Sequence, residues 1–295
     1  SWGRWEAAHA ASGAWEVLAL MRKSHQAAKG GPVWYAGRWW LRPAGAERHR
    51  PVLQFVTQVT DPGPAARAGY DACPHYEHSS RMRILLARHG ETPWNAEGRY
   101  QGQIDIPLSP VGQAQAAALG ERLKELPITR AVASPLSRAQ STAQAALGSH
   151  RAAMLQTDAD LQEIAHGEWE GLLASEIDEK DPARLRAWRE EPDTVLMPGG
   201  ESLRQVLDRS WRGLAKACEG LGEDDTLLVV AHDAVNRVIL CKVLGLPLSK
   251  LWSFRQAPTT LNLLEGPSID QLEVVRLNDC AHHTPFFGEA KHRAL

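Results

Sequence analysis

The pattern of hydrophobic and polar positions changes sharply at residue 82. From there on, short apolar runs of strand length alternate with longer segments of helical period. The apolar runs predict strands at 83–87, 131–133, 154–157, 226–231, 260–264 and 272–277. The longer segments predict helices at 109–126, 136–147, 182–190, 201–221 and 234–244. Strands that alternate with helices are typical of a sheet covered on both faces, so we expect a three-layer α/β/α sandwich with a mostly parallel sheet.

Residues 1–81 have a different character. They hold six of the eleven tryptophans and contain no repeat and no chemical motif. The pattern favours a short helix over Trp5–Arg22 and a strand over Val52–Val59 in an otherwise irregular N-terminal segment. The chain begins with Ser, and Met82 would serve well as a start residue. We therefore interpret 1–81 as an N-terminal extension of unknown role, either the tail of a preceding domain or non-native sequence from an over-extended reading frame.

Composition and charge do not indicate a nucleic-acid-binding, membrane-spanning or disulfide-rich protein. The 295 residues are 43% hydrophobic and 23% charged, and the formal net charge is −2, so nothing global points to a nucleic-acid partner or a membrane partner. No apolar run reaches the roughly 18 residues that a membrane-spanning helix requires. The four cysteines are scattered without C-x-x-C spacing, which favours reduced thiols and a cytoplasmic location.

Residues able to carry chemistry follow the predicted strands. Arg88 and His89 come directly after the first strand, Arg138 lies shortly after the second, and His232 follows strand 226–231. Glu163 lies between the last two of these strands along the chain. Because ligands bind beyond the carboxyl ends of the strands in an open α/β sheet, we expect these five side chains to meet at one sheet edge.

Two Arg, two His and one Glu together indicate phosphoryl transfer. Guanidinium groups match phosphoryl oxygens in bidentate fashion, and a neutral imidazole is a competent nucleophile near neutral pH. A carboxylic acid can protonate the leaving oxygen and then act as base on water. Charge neutralisation and positioning would supply most of the rate enhancement.

The sequence around these residues resembles the signature of the histidine phosphatase superfamily, the phosphoglycerate mutase-like proteins. The similar motifs are Arg88-His89-Gly90-Glu91-Thr92-x-Trp94-Asn95, Arg99-x-Gln101-Gly102, Leu108-Ser109-x-x-Gly112, Ser134-Pro135-Leu136-x-Arg138, Leu161-x-Glu163-Ile164-x-x-Gly167-x-Trp169-Glu170-Gly171, Pro198-Gly199-Gly200-Glu201-Ser202 and Val229-Val230-Ala231-His232. The resemblance covers roughly residues 82–265, so we expect a catalytic domain over 82–280 and a C-terminal tail over 281–295.

This resemblance implies a role for each site residue. His89 would take the phosphoryl group, and Glu163 would be the proton donor and then the base for water. The oxygens would be held by Arg88, Arg138 and His232. Further substrate contacts are expected from Asn95, Gln101, Gly102 and the backbone N–H of Asp233. No metal and no cofactor are implied, and we expect His166, His282 and His283 not to be metal ligands.

One position departs from the family pattern. The family usually has Gly after the second histidine, whereas Asp233 stands here. A backbone N–H survives that change, and we expect the carboxylate to point away from the phosphoryl group or to bind a cationic part of the substrate.

Three functions fit these motifs. The first is a phosphatase acting on a small phosphomonoester, such as phosphoserine, a sugar phosphate, a phosphoglycerate-type acid or ribazole phosphate. The second is a cofactor-dependent phosphoglycerate mutase, and the third is a non-catalytic phosphate-binding regulatory module. The sequence from Glu163 to Gly171 resembles the phosphatase branch, and none of the five site residues is missing. We therefore favour the phosphatase. The resemblance also raises a homodimer as a possible assembly.

Overall fold

The computed structural model describes residues 2–9, 15–22, 34–41, 81–148, 150, 153–222 and 225–283, and the chain forms two compact units, 1–77 and 78–295. In the first unit, strands β1 (Trp2–His9), β2 (Trp15–Arg22) and β3 (Trp34–Leu41) form an antiparallel sheet in that order. The helix expected over Trp5–Arg22 is therefore wrong. Residues 15–22 pair on both sides as the central strand, and pairing between distant segments overrides a weak helical period. The strand expected over Val52–Val59 lies outside the described residues.

The second unit is built on a six-stranded sheet with the order β6-β5-β7-β4-β8-β9. The first four strands in that order are parallel, β8 is antiparallel to β4, and β9 is antiparallel to β8. The mostly parallel sheet expected from the sequence is thus confirmed. The strands are β4 (Met82–Arg88), β5 (Ile128–Ala133), β6 (Leu155–Thr157), β7 (Thr226–Ala231), β8 (Leu261–Gly266) and β9 (Glu273–Asp279).

The five helices predicted after residue 82 are all present, with shifts of a few residues at their ends. Ser109 caps the first long helix by accepting from the N–H of Gly112 at 3.0 Å, but that helix ends at Leu123 rather than 126. Two short helices, Pro93–Glu97 and Ala174–Lys180, were not predicted because one or two turns show no clear hydrophobic period. The helices are α1 (Pro93–Glu97), α2 (Pro110–Leu123), α3 (Ser137–Ala146), α4 (Ala174–Lys180), α5 (Pro182–Glu190), α6 (Leu203–Cys218) and α7 (Asp233–Val243).

A separate hydrophobic core lies on each face of the sheet. Along β4, Ile84 and Leu86 belong to one core, and Leu85 and Ala87 belong to the other. Successive side chains of a strand point to opposite faces, so a strand buried on both faces must be apolar throughout. Buried residues of α5, α6 and α7 fill the first core, and those of α2 and α3 fill the second. These two cores confirm the three-layer sandwich.

Strand order brings the candidate residues together. β7 lies between β4 and β5, with Arg88 paired to Ala231 and Ala133 paired to Val230. The loops that follow these three parallel strands therefore start side by side at one edge. In the described part of the chain no helix is long and apolar enough to cross a membrane. The domain boundaries at 81 and 280 stay predictions.

Candidate functional site

A pocket that is partly open to solvent lies beyond the carboxyl ends of β4 and β5. Its walls combine residues from four separate stretches of the chain, and most of them were predicted to belong to the site. The lining residues are Arg88, His89, Asn95, Arg99, Gln101, Gly102, Arg138, Glu163 and His166.

The two histidines face each other, with His89 lining the pocket and His232 buried behind it. Their ring centroids are 5.0 Å apart, and the rings are tilted by 57°. Nδ1 of His89 lies 2.6 Å from the carbonyl of Gly90. If Nδ1 carries the proton and donates it to that carbonyl, the ring lone pair lies on Nε2. The backbone of His89 is fixed on both sides, since its N–H donates to Ala231 and its carbonyl accepts from Thr259.

His232 is fully buried, and neither of its ring nitrogens has a hydrogen-bond partner among the described residues. Burial, followed by the positive charge of Arg138 and the neighbouring His89, lowers the pKa of His232 well below its ordinary value. The ring is therefore neutral at physiological pH. A neutral buried imidazole without a partner is suited to donate one N–H to a bound oxygen.

Arg88 is the last residue of β4, and two acceptors hold its Nη1. The carboxylate Oδ1 of Asp233 accepts at 3.0 Å and the carbonyl of Gln256 accepts at 2.6 Å. Its Nε is buried and has no partner among the described residues. One edge of the guanidinium is thus left for a ligand.

Arg138 on α3 is fully buried at the opposite wall. Its Nη2 donates to the carbonyl of Gly102 at 2.7 Å, and its Nη1 donates to the carbonyl of Ile104 at 3.0 Å. With the Gln101 amide turned so that its oxygen faces the guanidinium, that oxygen also accepts from Nε at 2.7 Å. Burial lowers the pKa of Arg138 to about 10, so it stays charged at neutral pH. Gln101 and Gly102 therefore orient this arginine as well as line the pocket.

Glu163 is 6% exposed and lies in the loop that precedes α4. Its two carboxylate oxygens accept from the N–H groups of Ile164, at 2.9 Å, and Asp233, at 3.1 Å. Burial, and next the negative charge of Asp233, raise the pKa of Glu163 above its ordinary value. A carboxyl with a raised pKa can hold the proton that a leaving oxygen needs.

Asn95 and Gly90 shape the loop after β4. The Asn95 side-chain oxygen accepts from the N–H of Thr92 at 3.1 Å, so it completes the cap of α1 and also lines the pocket. A Cβ on Gly90 would lie 2.6 Å from the carbonyl oxygen of Gly112 in α2. Gly90 is thus required where the loop packs closely against that helix, a reason the sequence did not indicate.

Asp233 is oriented differently from the expectation. Its N–H, expected on the phosphoryl group, donates to Glu163, and its carboxylate is paired with Arg88 and Arg237. The Arg237 pair has i, i+4 spacing on α7, a signal that the sequence offered and that pointed to no role by itself.

Sequence reasoning also missed pocket and support residues. Arg99 and His166 line the pocket, and burial lowers the pKa of His166 to about 3. Arg209 on α6 donates to the carbonyl of Glu163 at 2.9 Å. Within the described residues, no group of three or more His, Cys, Asp or Glu side chains could hold a metal ion.

Comparisons with known proteins identify the family of this chain. A family model described as the histidine phosphatase superfamily (branch 1) matches residues 84–280. Phosphoserine phosphatase 1 of Hydrogenobacter thermophilus is 34% identical over 217 residues, which are 72% of this chain and 100% of that protein. A probable phosphoglycerate mutase of Salmonella choleraesuis is 34% identical over 166 residues, 56% of this chain and 76% of that protein.

A solved structure extends the similarity to the fold. The mycobacterial glucosyl-3-phosphoglycerate phosphatase superposes with a TM-score of 0.61 at 30% identity, covering 67% of this chain and 99% of that one. The family match spans well over half of the chain, and relatives named as phosphatases share its sequence and fold. The chain belongs to the histidine phosphatase superfamily, branch 1, and is an enzyme of the phosphoric monoester hydrolase class.

Proposed function

We propose that this protein hydrolyses a small phosphomonoester through a phosphohistidine on His89, without a metal ion. The observation that carries the proposal is the convergence at one sheet edge of two buried arginines, two facing imidazoles and a buried carboxyl with a raised pKa. Each of these groups has a distinct task in phosphoryl transfer to nitrogen.

In the first step, Nε2 of His89 forms a bond to phosphorus while the bond from phosphorus to the leaving oxygen breaks. Protonated Glu163 gives its proton to that oxygen, so the product leaves as an alcohol. Arg88, Arg138 and neutral His232 bind the three equatorial oxygens, where charge is spread in the transition state.

In the second step, water attacks phosphorus and the bond to His89 breaks. Glu163, now ionised, takes a proton from the water and is ready for the next cycle. Inorganic phosphate is released. A second hydroxyl in place of water would make the enzyme a mutase, so the identity of the acceptor decides between the two functions.

The substrate class is a small phosphomonoester of the kind named in the related proteins: phosphoserine, a sugar phosphate, a phosphoglycerate-type acid or ribazole phosphate. Asn95, Arg99 and His166 line the walls of the pocket without a role in the two steps above. They are candidates for contacts to the leaving group.

The test is a phosphate-release screen over these esters with chelator present, run beside an assay for conversion of 3- to 2-phosphoglycerate. We expect net phosphate release that chelator does not reduce. Interconversion without phosphate release would favour the mutase, and activity that chelator abolishes would overturn the metal-free mechanism.

The covalent intermediate has its own test. Rapid quench with a ³²P-labelled substrate should trap an acid-labile, base-stable adduct on His89. His89→Ala should remove both the adduct and the activity, while His150→Ala serves as a matched control on a partly buried histidine outside the pocket. A His89→Ala protein with full activity would end the proposal.

A further inference from the structure

We propose that Asp233, anchored by Arg237, is a positioning residue that turns the Nε–Nη2 edge of Arg88 towards the phosphoryl group. The inference rests on the proposed function, because it assigns how one of the phosphoryl-binding arginines is oriented. It concerns a carboxylate that takes no part in the two chemical steps.

The hydrogen bonds of Arg88 carry the argument. Nη1 has two N–H groups, and its two acceptors, Asp233 Oδ1 at 3.0 Å and the Gln256 carbonyl at 2.6 Å, use both. Nε is buried without a partner among the described residues, although the side chain lines the pocket. A guanidinium is planar and rigid, so fixing Nη1 fixes the opposite edge. That edge carries the two parallel N–H groups that match a phosphoryl group in bidentate fashion.

Asp233 can act as a fixed point because it is itself held. It is 1% exposed, and its second oxygen accepts from Nε of Arg237 at 2.7 Å. Arg237 in turn donates to the carbonyls of Leu251 and Phe254, and its guanidinium lies 5.1 Å from the ring centroid of Trp252. The carboxylate is thus shared by two buried arginines, and the outer one is fastened to the backbone.

The charge balance points the same way. A phosphoryl-binding arginine paired with a single carboxylate would present little net charge to an anion. Here Arg237 offsets the negative charge of Asp233, so Arg88 keeps its positive charge for the ligand. Asp233 also touches the acid, since its N–H donates to Glu163 Oε2. Its charge adds to burial in raising the pKa of Glu163, against the opposite effect of Arg138 and Arg88.

The experiment measures two quantities on the full chain: the Kd of inorganic phosphate by calorimetry, and the pH profile of kcat. The variants are Asp233→Ala, Asp233→Asn, Arg237→Met and the double variant Asp233→Ala/Arg237→Met. Asp208→Ala is the matched control, because Asp208 pairs with Arg204 at 3.0 Å on a helix but on an exposed surface.

Asp233→Ala should weaken phosphate binding by about 10-fold or more, since Arg88 loses the acceptor that orients it. Asp233→Asn should weaken binding less than Asp233→Ala, because its amide oxygen can still accept from Arg88 while its NH₂ group faces the Nε–H of Arg237. The same variant should move the basic limb of kcat to lower pH, since the charge that raises the pKa of Glu163 is gone. As a single variant, Arg237→Met should weaken phosphate binding. In the Asp233→Ala background, the same change should alter the Kd of phosphate by less than about 2-fold.

Phosphate binding by a folded Asp233→Ala protein that equals that of Asp208→Ala would overturn the proposal. If Asp233→Ala does not fold, Arg237→Met decides: phosphate binding equal to that of Asp208→Ala would overturn the proposal equally. Failure of the proposed function looks different. In that case the wild type would bind phosphate but release none from any ester, whereas failure of the positioning role leaves hydrolysis intact and the Asp233 variants unaffected.

Discussion

Arg209 on α6 fastens the loop that carries Glu163, and removing it offers a quantitative test of that support. The guanidinium donates to the carbonyls of Asp160 and Glu163, both at 2.9 Å. It also binds the Glu201 carboxylate through Nε and Nη2, both at 2.8 Å. Its side chain is 13% exposed, so water replaces few of these contacts when the side chain is shortened.

Arg209→Met keeps the aliphatic stem and deletes the fork. Breaking a buried charge pair costs about 3–5 kcal/mol, and the partial exposure of Glu201 argues for the lower end, about 3 kcal/mol. For a domain of this size, 1 kcal/mol lowers Tm by about 2–4 °C, so we expect a decrease of about 6–12 °C. Because the Glu163 loop loosens, kcat should fall by about 10–100-fold.

Thermal unfolding followed by circular dichroism measures the first effect, and steady-state kinetics measures the second. Arg204→Met is the control: Arg204 lies on the same helix, its side chain is 75% exposed, and its pair with Asp208 should contribute less than about 1 kcal/mol. Equal Tm values for the two variants would refute the reasoning, as would an Arg209→Met enzyme with the kcat of the control.

Four further outcomes follow from the site. In a rapid-quench assay of the first step, Glu163→Gln should slow release of the leaving group by about 10²–10⁴-fold from alkyl phosphates and far less from p-nitrophenyl phosphate, whose leaving group needs no proton; equal losses on both esters in that step would contradict the role of acid. In the wild type, kcat on alkyl phosphates should fall as pH rises through the raised pKa of Glu163, because the acid form is lost. The raised pKa of Glu163 also makes the wild type less stable as pH rises from the ordinary carboxyl pKa to the raised value. Glu163→Gln should therefore have a higher Tm than the wild type at pH 8 and a similar Tm at pH 4. The reverse order would count against a buried, protonated carboxyl. Gly90→Ala should lower the free energy of unfolding by about 1–3 kcal/mol, since the new methyl would meet the Gly112 carbonyl oxygen at 2.6 Å; an unchanged denaturant midpoint would show that the loop can shift.

The sequence predicted the sheet and the site edge well because both depend on local signals. The strand β7 is apolar at every position but its first, which is what burial on two faces requires. Arg88 ends β4, and His89 and His232 directly follow β4 and β7, so parallel pairing alone brings them together. The start of helix α2 is predicted by Ser109 as the N-cap and Pro110 at the first helical position.

The features that sequence reasoning missed depend on pairs far apart in the chain. β2 was expected to be helical because its period is ambiguous, and its two partner strands decide the outcome. The orientation of Asp233 depends on Arg88, 145 residues away, and the role of Arg209 depends on backbone carbonyls of another loop. No local pattern encodes such contacts, although the i, i+4 spacing of Asp233 and Arg237 was visible.

The position of β4 in the sheet sets the order in which activity can be acquired. β4 begins at Met82, yet its two neighbours, β7 and β8, begin only at Thr226 and Leu261. During synthesis, well over a hundred residues are therefore added after the apolar stretch 84–87 before either of its neighbouring strands has been made. Non-local pairing of this kind slows folding and leaves an apolar strand exposed to other chains. His89 cannot face His232 before β4 and β7 have paired, so enzymatic turnover cannot begin until residues 226–232 have been synthesised.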